Sequence, residues 1–267
     1  MSLLSIGILI MVFFLTSILS VVTGSTSLIT VPAMLQLGIE SRVALATNMF
    51  ALTFMSLGAT LPYLGKGKLN WDRLPLLILL TLVGSVIGAL LIMIIPAQTV
   101  PQIISVAMIA VTLFSIAHPN LGIGETAGIP TRWMVYTAYF ATFVLGIYGG
   151  LFSGGYVTML TAIYVGLFRL SFIEAIATTK LINIFSSLIA TIIFASQGLV
   201  DYPLAIILAI AMFIGGQVGS RIALRLGNFW VRRIFFTTVG ILALKTLADS
   251  THPPKDPIPA VPSHPSM

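Results

Sequence analysis

The chain contains no cysteine, only three histidines and few charged residues, and each shortage excludes a class of function. Without cysteine the protein can form no disulfide and offers no thiolate for catalysis or metal binding. The histidines are His118, His252 and His264, all in a connector or near the C-terminus. No HExxH pattern, Walker glycines or paired intramembrane carboxylates occur. The sequence therefore predicts no enzyme, no cofactor, no bound metal and no ATP-driven pump.

Charged residues make up only 7% of the 267 residues, whereas 58% are hydrophobic and the mean hydropathy is +1.09. Soluble domains usually carry about 25% charged residues. Apolar stretches of roughly 20 residues, long enough to cross the lipid bilayer, recur along the chain. We therefore predict an all-α integral membrane protein, a polytopic helix bundle. The formal net charge of +6 is assigned to basic loops rather than to nucleic-acid binding, because no basic run with interleaved aromatic residues occurs.

Ten apolar segments fall into two sets of five that match each other. They lie at about 3–22, 24–38, 42–63, 74–95 and 99–117, and at about 132–151, 153–168, 172–195, 202–220 and 229–248. An offset of 131 residues aligns ALATNMFAL with AIATTKLIN and GSVIG with GGQVG. Upstream the offset is 128, which pairs Gly38 with Gly166. We interpret 1–119 and 131–249 as two repeats and 250–267 as a disordered, Pro-rich tail.

The basic residues predict that the two repeats are inverted. Lys66, Lys68 and Arg73 follow the third segment, whereas the matching loop of the second repeat holds Asp201 and no basic residue. Four arginines follow the ninth segment instead: Arg221, Arg225, Arg232 and Arg233. The positive-inside rule then requires five crossings per repeat and both termini outside. Arg42 violates this arrangement, and the short second segment of each repeat is expected to cross as a broken helix.

Glycine and hydroxyl residues interrupt the short second segment of each repeat. A broken helix exposes free N–H groups and the positive end of its dipole, so two matching breaks predict a ligand site near mid-membrane, as in secondary transporters. Close helix packing by small residues is the alternative, and we assign GSVIG and GGQVG to it. The predicted site residues at the breaks are Ser25, Thr26, Ser27, Ser153, Gly154 and Gly155.

The segment after each break carries polar residues, and one of them is charged. Lys180 lies about eight residues, or roughly 12 Å, into its segment. A charge near the bilayer centre costs about 2.5–3.5 kcal/mol, so Lys180 is expected to face the interior and bind an anion rather than snorkel to the surface. It shares one helix face with Asn183, Ser187 and Thr191. The other predicted site residues are Thr47, Asn48, Thr178 and Thr179.

These motifs, in this order, resemble the sulfite exporter TauE/SafE family of bacterial membrane permeases over about residues 5–248. ALATNMFAL, KGKLNW, GGLFSGG, ATTKLINIF and GSRIALRLGNFWVRRIF carry the resemblance. It implies transport of small sulfur-containing anions, such as sulfite or organosulfonates, usually outward across the bacterial inner membrane. Many relatives have lysine where this chain has Met49, which implies a less charged first-half site.

Two classes of function stay open at this point. The leading hypothesis is a secondary transporter for a small anionic substrate, bound at the interface of the repeats. The alternative is a non-transporting membrane scaffold or assembly partner whose polar residues only pack helices. The coupling ion is open, with Glu174 and Asp72 as weak candidates for carrying protons, and so is the oligomeric state, a homodimer included.

Overall fold

The computed structural model describes residues 2–100, 102–103, 106 and 129–250, which form helices and connecting turns without a strand. The helices are α1 (Leu3–Thr23), α2 (Ser27–Gln36), α3 (Ser41–Thr60), α4 (Leu74–Ile94), α5 (Arg132–Leu151), α6 (Tyr156–Leu167), α7 (Phe172–Ser196) and α8 (Tyr202–Ser250). Non-helical backbone at Gly227 divides α8. Most of the fifth predicted segment, and the tail from 251 on, lie outside the described residues. The all-α class is confirmed.

Six stretches are long and apolar enough to cross a membrane: α1, α3 with the turn after it, α4, α5, α7 and the first part of α8. The other two helices, α2 and α6, have ten and twelve residues. At 1.5 Å per residue they are about 15 and 18 Å long, roughly half the hydrocarbon thickness. They are the broken second segments of the two halves, and the count of ten crossings stays a prediction.

Side-chain caps fix the starts of four long helices. The Ser2, Glu40, Thr131 and Ser171 side chains accept hydrogen bonds from N–H groups in the first turns of α1, α3, α5 and α7. Ser171 forms a full capping box, because Glu174 Oε2 also accepts from the Ser171 N–H at 2.9 Å. These caps satisfy N–H groups that have no partner within a helix.

The two halves of the chain exchange packing partners. Helix α1 of the first half lies along α8 of the second, and α5 of the second half lies along α4 of the first. Glycines make both contacts close: a Cβ on Gly84 or Gly88 would run into the backbone of α5. A Cβ on Gly215 or Gly219 would likewise run into α1. The prediction that GSVIG and GGQVG serve close helix packing is confirmed.

Helices α3 and α7 contact each other near the centre of the bundle and run in opposite directions. The Asn183 amide on α7 donates to Ser56 Oγ on α3 at 2.7 Å. Beyond the end of α7, the N–H of Asp201 donates to Thr47 Oγ1 near the start of α3 at 3.2 Å. This antiparallel crossing agrees with inverted halves, and the inverted repeat itself stays a prediction.

The basic loops lie at one end of the bundle, which we call the basic end. Ser220 Oγ donates to the carbonyl of Ala59 at 2.7 Å, so the residues after Ser220 lie beside the end of α3. The Arg73 guanidinium lies 4.7 Å from the ring centroid of Phe168, which brings the loop after α3 to the end of α6. The basic end thus gathers Lys66, Lys68, Arg73, Arg169, Arg221 and Arg225.

Arg42, which does not fit the positive-inside pattern, lies at the opposite end of the bundle. Its guanidinium donates to the carbonyls of Met93 and Ile95 at the end of α4. The last carbonyls of a helix have no partner within it and form the negative end of its dipole. Arg42 is therefore a helix cap, which explains a basic residue at this end.

The predicted pairing of Gly38 with Gly166 is wrong. Gly38 has φ 80° and directly follows the short helix α2, whereas Gly166 lies inside α6. The residue in the corresponding conformation after α6 is Arg169, with φ 59°. It stands 131 residues after Gly38, so the extra residues of the second half lie within the broken segment, where α6 is longer than α2.

Candidate functional site

The two helix breaks touch each other in the interior. Helix α1 ends at Gly24 with φ 73°, and α6 begins after Gly155 with φ 78°. The Thr158 hydroxyl on α6 donates to the Thr23 carbonyl at 2.5 Å and lies 3.1 Å from Ser25 Oγ. A Cβ on Gly24 would lie 2.5 Å from the Thr158 backbone nitrogen. Glycine at this position therefore provides both the left-handed turn and the close approach of the two breaks.

The starts of α2 and α6 are buried, and neither has a side-chain cap. Their N-cap residues are Thr26 and Gly155, which form no side-chain hydrogen bond to the helix that follows. Thr26 directs its hydroxyl to Ser20 Oγ instead, at 2.5 Å. The residues around the two starts are almost fully buried: Ser25, Thr26, Ser27 and Ser153. Free N–H groups and the positive end of the dipole make such a start attractive to an anion.

The buried ammonium of Lys180 lies next to the start of α2. Lys180 is 1% exposed, and its Nζ donates to the carbonyl of Ser20 at 2.9 Å. Ser20 stands in the last turn of α1, whose carbonyl end attracts a cation, and its hydroxyl touches Thr26. The sequence hypothesis gave the bound anion as the main partner of this charge and missed the carbonyl. An ammonium has three donors, so one bond to the protein leaves two for a ligand.

Asn48 joins α3 to the first turn of α2. Its Nδ2 donates to Ser27 Oγ at 2.9 Å, and its Oδ1 accepts from Thr30 Oγ1 at 2.7 Å. All three side chains are at most 1% exposed. Asn48 therefore fixes the position of the uncapped helix start, as a residue that orients the candidate site.

Polar groups without partners continue from Lys180 along α7. Asn183 uses its Nδ2 on Ser56, but its buried Oδ1 has no hydrogen-bond partner among the described residues. The same holds for Ser187 Oγ, one turn further along the same face. A buried polar atom without a partner costs about 1–3 kcal/mol. Water or a ligand at these atoms would remove that cost.

Thr179 and Gly154 lie close to the breaks but already have partners within the protein. Thr179 Oγ1 donates to the carbonyl of Ile176 and lies 3.3 Å from Thr161 Oγ1. The carbonyl of Gly154 accepts from the Tyr148 hydroxyl at 2.5 Å. These contacts hold α6 against α5 and α7, so both residues support the shape of the site.

Two of the residues assigned to the site from the sequence lie away from it. Thr47 accepts from the Asp201 N–H at the end of the bundle opposite to the basic end. Thr178 lines a pocket of about 470 Å³ at the basic end. It precedes Lys180 by two residues, about 200° around the helix, and so points to another side of α7. Adjacent residues in the sequence motifs thus face different parts of the protein.

Sequence reasoning missed several residues of the site because they lie in strongly apolar runs. Ser20 and Thr23 end α1, and Thr158 begins the second turn of α6. Each is buried and contacts the opposite break or the lysine. Hydroxyl residues within one turn of a break were the signal that could have identified them.

Comparison with known proteins gives the same assignment over most of the chain. The family model for "Sulfite exporter TauE/SafE" matches residues 9–246. The probable membrane transporter protein ORF9 of Sinorhizobium is 32% identical over 241 residues, which cover 90% of this chain and 91% of that protein. The probable membrane transporter protein YfcA of Escherichia coli is 27% identical over 245 residues, 92% of this chain and 90% of that protein.

A probable membrane transporter protein of Haemophilus influenzae is 24% identical over 244 residues, 91% of this chain and 95% of that protein. No solved structure matches the chain significantly. The family model and these relatives all span nearly the whole length of the chain. The chain belongs to the sulfite exporter TauE/SafE family and is a membrane transporter rather than an enzyme.

Proposed function

We propose that the protein is a secondary transporter that exports small sulfur-containing anions, of the sulfite or organosulfonate class, across the bacterial inner membrane. The anion is bound between the two helix breaks, near mid-membrane. The observation that carries this proposal is the meeting of two buried, uncapped helix starts beside the buried ammonium of Lys180.

The charges around the breaks favour a negative ligand. Each helix start carries a partial positive charge equivalent to about half an elementary charge. Lys180 adds a full positive charge, and among the described residues no carboxylate forms a salt bridge with it. Hydroxyls from Ser25, Ser27 and Thr158 surround the same space. An oxyanion with several oxygens can accept from N–H groups, hydroxyls and an ammonium together.

The narrower assignment to sulfur-containing anions rests on the family. Its model is described as a sulfite exporter, and the site offers donors that an oxygen-rich sulfur anion could use. Donor geometry of this kind also accepts other oxyanions, so a panel of ligands must separate them. Export is likewise the direction that the family description gives.

Both halves of the chain contribute to the proposed site, as transport by rearrangement of two halves requires. Ser20 and Thr26 come from the first half, whereas Thr158 and Lys180 come from the second. A relative movement of the halves would change the access to a ligand held between them. With no ATP-binding motif in the sequence, a gradient of substrate or of a coupling ion would drive this movement.

The direct test is ligand-dependent stabilisation of the detergent-purified protein. Sulfite, thiosulfate, sulfate, taurine, sulfoacetate and chloride are compared at equal ionic strength. A ligand that binds only the folded state at 100 times its Kd stabilises by about 2.7 kcal/mol. We expect a sulfur-containing anion to raise the unfolding temperature more than chloride does, and to be transported in proteoliposomes.

A membrane scaffold is the second candidate, because the bond from Lys180 to Ser20 gives the lysine a structural role of its own. A scaffold needs no ligand, so none of the anions should stabilise it. A monodisperse protein that no anion in the panel stabilises would overturn the transporter proposal and favour the scaffold.

A further inference from the structure

Two loops at opposite ends of the bundle occupy matching places in the chain. Residues 67–72 follow α3, and residues 198–203 follow α7, at the offset of 131 that aligns the two halves. Gly67 and Gly198 begin them with φ of 62° and 68°. Each loop lies over the first turns of the central helix of the other half, where Thr47 and Thr178 hold matching positions.

The loop at the end opposite to the basic end is closed on its helix. The Asp201 N–H donates to Thr47 Oγ1 at 3.2 Å. Tyr202 packs edge-on against Phe50 of α3, with ring centroids 6.2 Å apart, and Val200 is buried. This loop therefore covers the first turns of α3.

The loop at the basic end leaves a pocket of about 470 Å³ between itself and α7. Thr178 lines this pocket at 3% exposure, and its Oγ1 has no partner among the described residues. Asn70 and Trp71, which match Asp201 and Tyr202, line the same pocket, and Trp71 is 63% exposed. The contact that closes one end is thus absent from its matching place at the other.

We propose that residues 67–72 and 198–203 are a pair of gates, and that the structure has the basic-end gate open and the opposite gate closed. In the other state, residues 67–72 close over Thr178 and take its free hydroxyl as a partner, while Asp201 leaves Thr47. This inference rests on the proposed transport function. It assigns Thr47 and Thr178 to the gates rather than to the ligand site.

The basic-end gate closes by movement of the loop and not by extension of α4. The last loop residue before α8 is Asp201, so α8 starts directly behind the contact, whereas α4 starts only at Leu74. Pro75 prevents an earlier start, because a proline beyond the first turn lacks an N–H and clashes with the preceding turn. Residues 71–73 therefore stay non-helical and give this gate the longer, more mobile connection.

Matched pairs of cysteines in this cysteine-free chain test the proposal without any anion present. T47C/D201C reports closure at one end, and N70C/T178C reports closure at the other. The first pair should form a disulfide readily under mild oxidation. The second should form at least about tenfold more slowly, because cysteines whose Cα atoms are more than about 7 Å apart need backbone movement to bridge.

Thr47 links the two ends in the same experiment. In the N70C/T178C protein, Thr47→Val removes the acceptor of the Asp201 N–H, so crosslinking should accelerate about fivefold, the effect of one ordinary hydrogen bond. Thr47→Ser keeps the acceptor and should leave the rate unchanged. Equal rates for the two pairs, or no acceleration by Thr47→Val, would overturn the gates.

Gel filtration of the reduced proteins checks their folding. If N70C/T178C is misfolded, a cysteine at Glu174, which lines the same pocket, replaces the one at Thr178 and keeps the same expectation. Because crosslinking needs no ligand, failure of the gates is distinguishable from failure of the anion site, which the ligand panel tests separately.

Discussion

The ammonium of Lys180 lies 2.9 Å from the carbonyl oxygen of Ser20, so a charge from the second half of the chain rests on the end of a helix from the first. The same carbonyl accepts from the N–H of Gly24 at 2.8 Å. The lysine is therefore an additional donor to an oxygen that already has one. Its retention inside the protein calls for a role beyond satisfying that oxygen, and anion binding supplies one.

Replacing Lys180 by methionine should weaken anion binding and leave the empty protein folded. A charge-assisted hydrogen bond contributes about 1.5–3 kcal/mol, which corresponds to roughly a ten- to hundredfold loss of affinity. The Ser20 carbonyl keeps its bond from Gly24, so no buried acceptor is left without a partner. Methionine also stands at the matching position of the first half, Met49. Thermal unfolding with and without anion measures both effects.

Lys180→Arg is the matched control for this variant. It keeps the charge but changes the geometry of the donors, so part of the anion response should persist. If Lys180→Met instead loses stability without ligand and keeps its full anion response, the lysine is a structural residue and the site assignment fails.

Gly155 should tolerate substitution poorly because of its backbone conformation. Its φ of 78° lies in the left-handed region, where a residue with a Cβ costs about 1–2 kcal/mol. Gly155→Ala should therefore lower the stability by that amount and shift the start of α6, which reduces anion affinity. Gly7→Ala in α1 is the control, because a Cβ there meets no atom within 4 Å and the helix favours alanine. Equal stability of the two variants would contradict the expectation.

The glycines of the exchanged helix pairs should respond to size alone. Gly88→Val would push a branched side chain into the backbone of α5, and Gly219→Val into that of α1. Overpacking of this kind costs about 1–3 kcal/mol, so both variants should express less and unfold at lower temperature. Gly38→Asn, at an open position with positive φ, should change the stability little. Destabilisation at Gly38 as large as at Gly88 would refute the packing role.

The sequence was informative wherever a local pattern had one physical cause. A buried lysine, glycines at four-residue spacing and two interrupted helices each predicted a feature that the structure contains. Ser20 and Thr158 escaped notice because their roles depend on which distant helices meet, and no local pattern records that. Thr47 and Thr178 were grouped with the site because they adjoin Asn48 and Lys180 in sequence. On a helix, neighbours separated by one or two residues point in different directions.

The register of the repeat shows a second limit of sequence reasoning. Two glycines seemed a natural match, so Gly38 was paired with Gly166 and the true counterpart, Arg169, was overlooked. Arginine in the left-handed region is uncommon, and identity of residue type does not reveal backbone conformation. Conformation kept the offset of 131 where residue type did not.

Cysteine labelling tests the orientation in the membrane, on which both the export direction and the inverted repeat depend. The structure brings Lys68 and Arg225 to the same end of the bundle and Asp201 to the other. Single cysteines at Lys68 and Arg225 should both be shielded from an impermeant thiol reagent in right-side-out cells, because basic loops stay in the cytoplasm. A cysteine at Asp201 should label, and permeabilised cells should label all three. Labelling at Arg225 with protection at Asp201 would reverse the orientation, and labelling at only one of Lys68 and Arg225 would contradict the inverted halves.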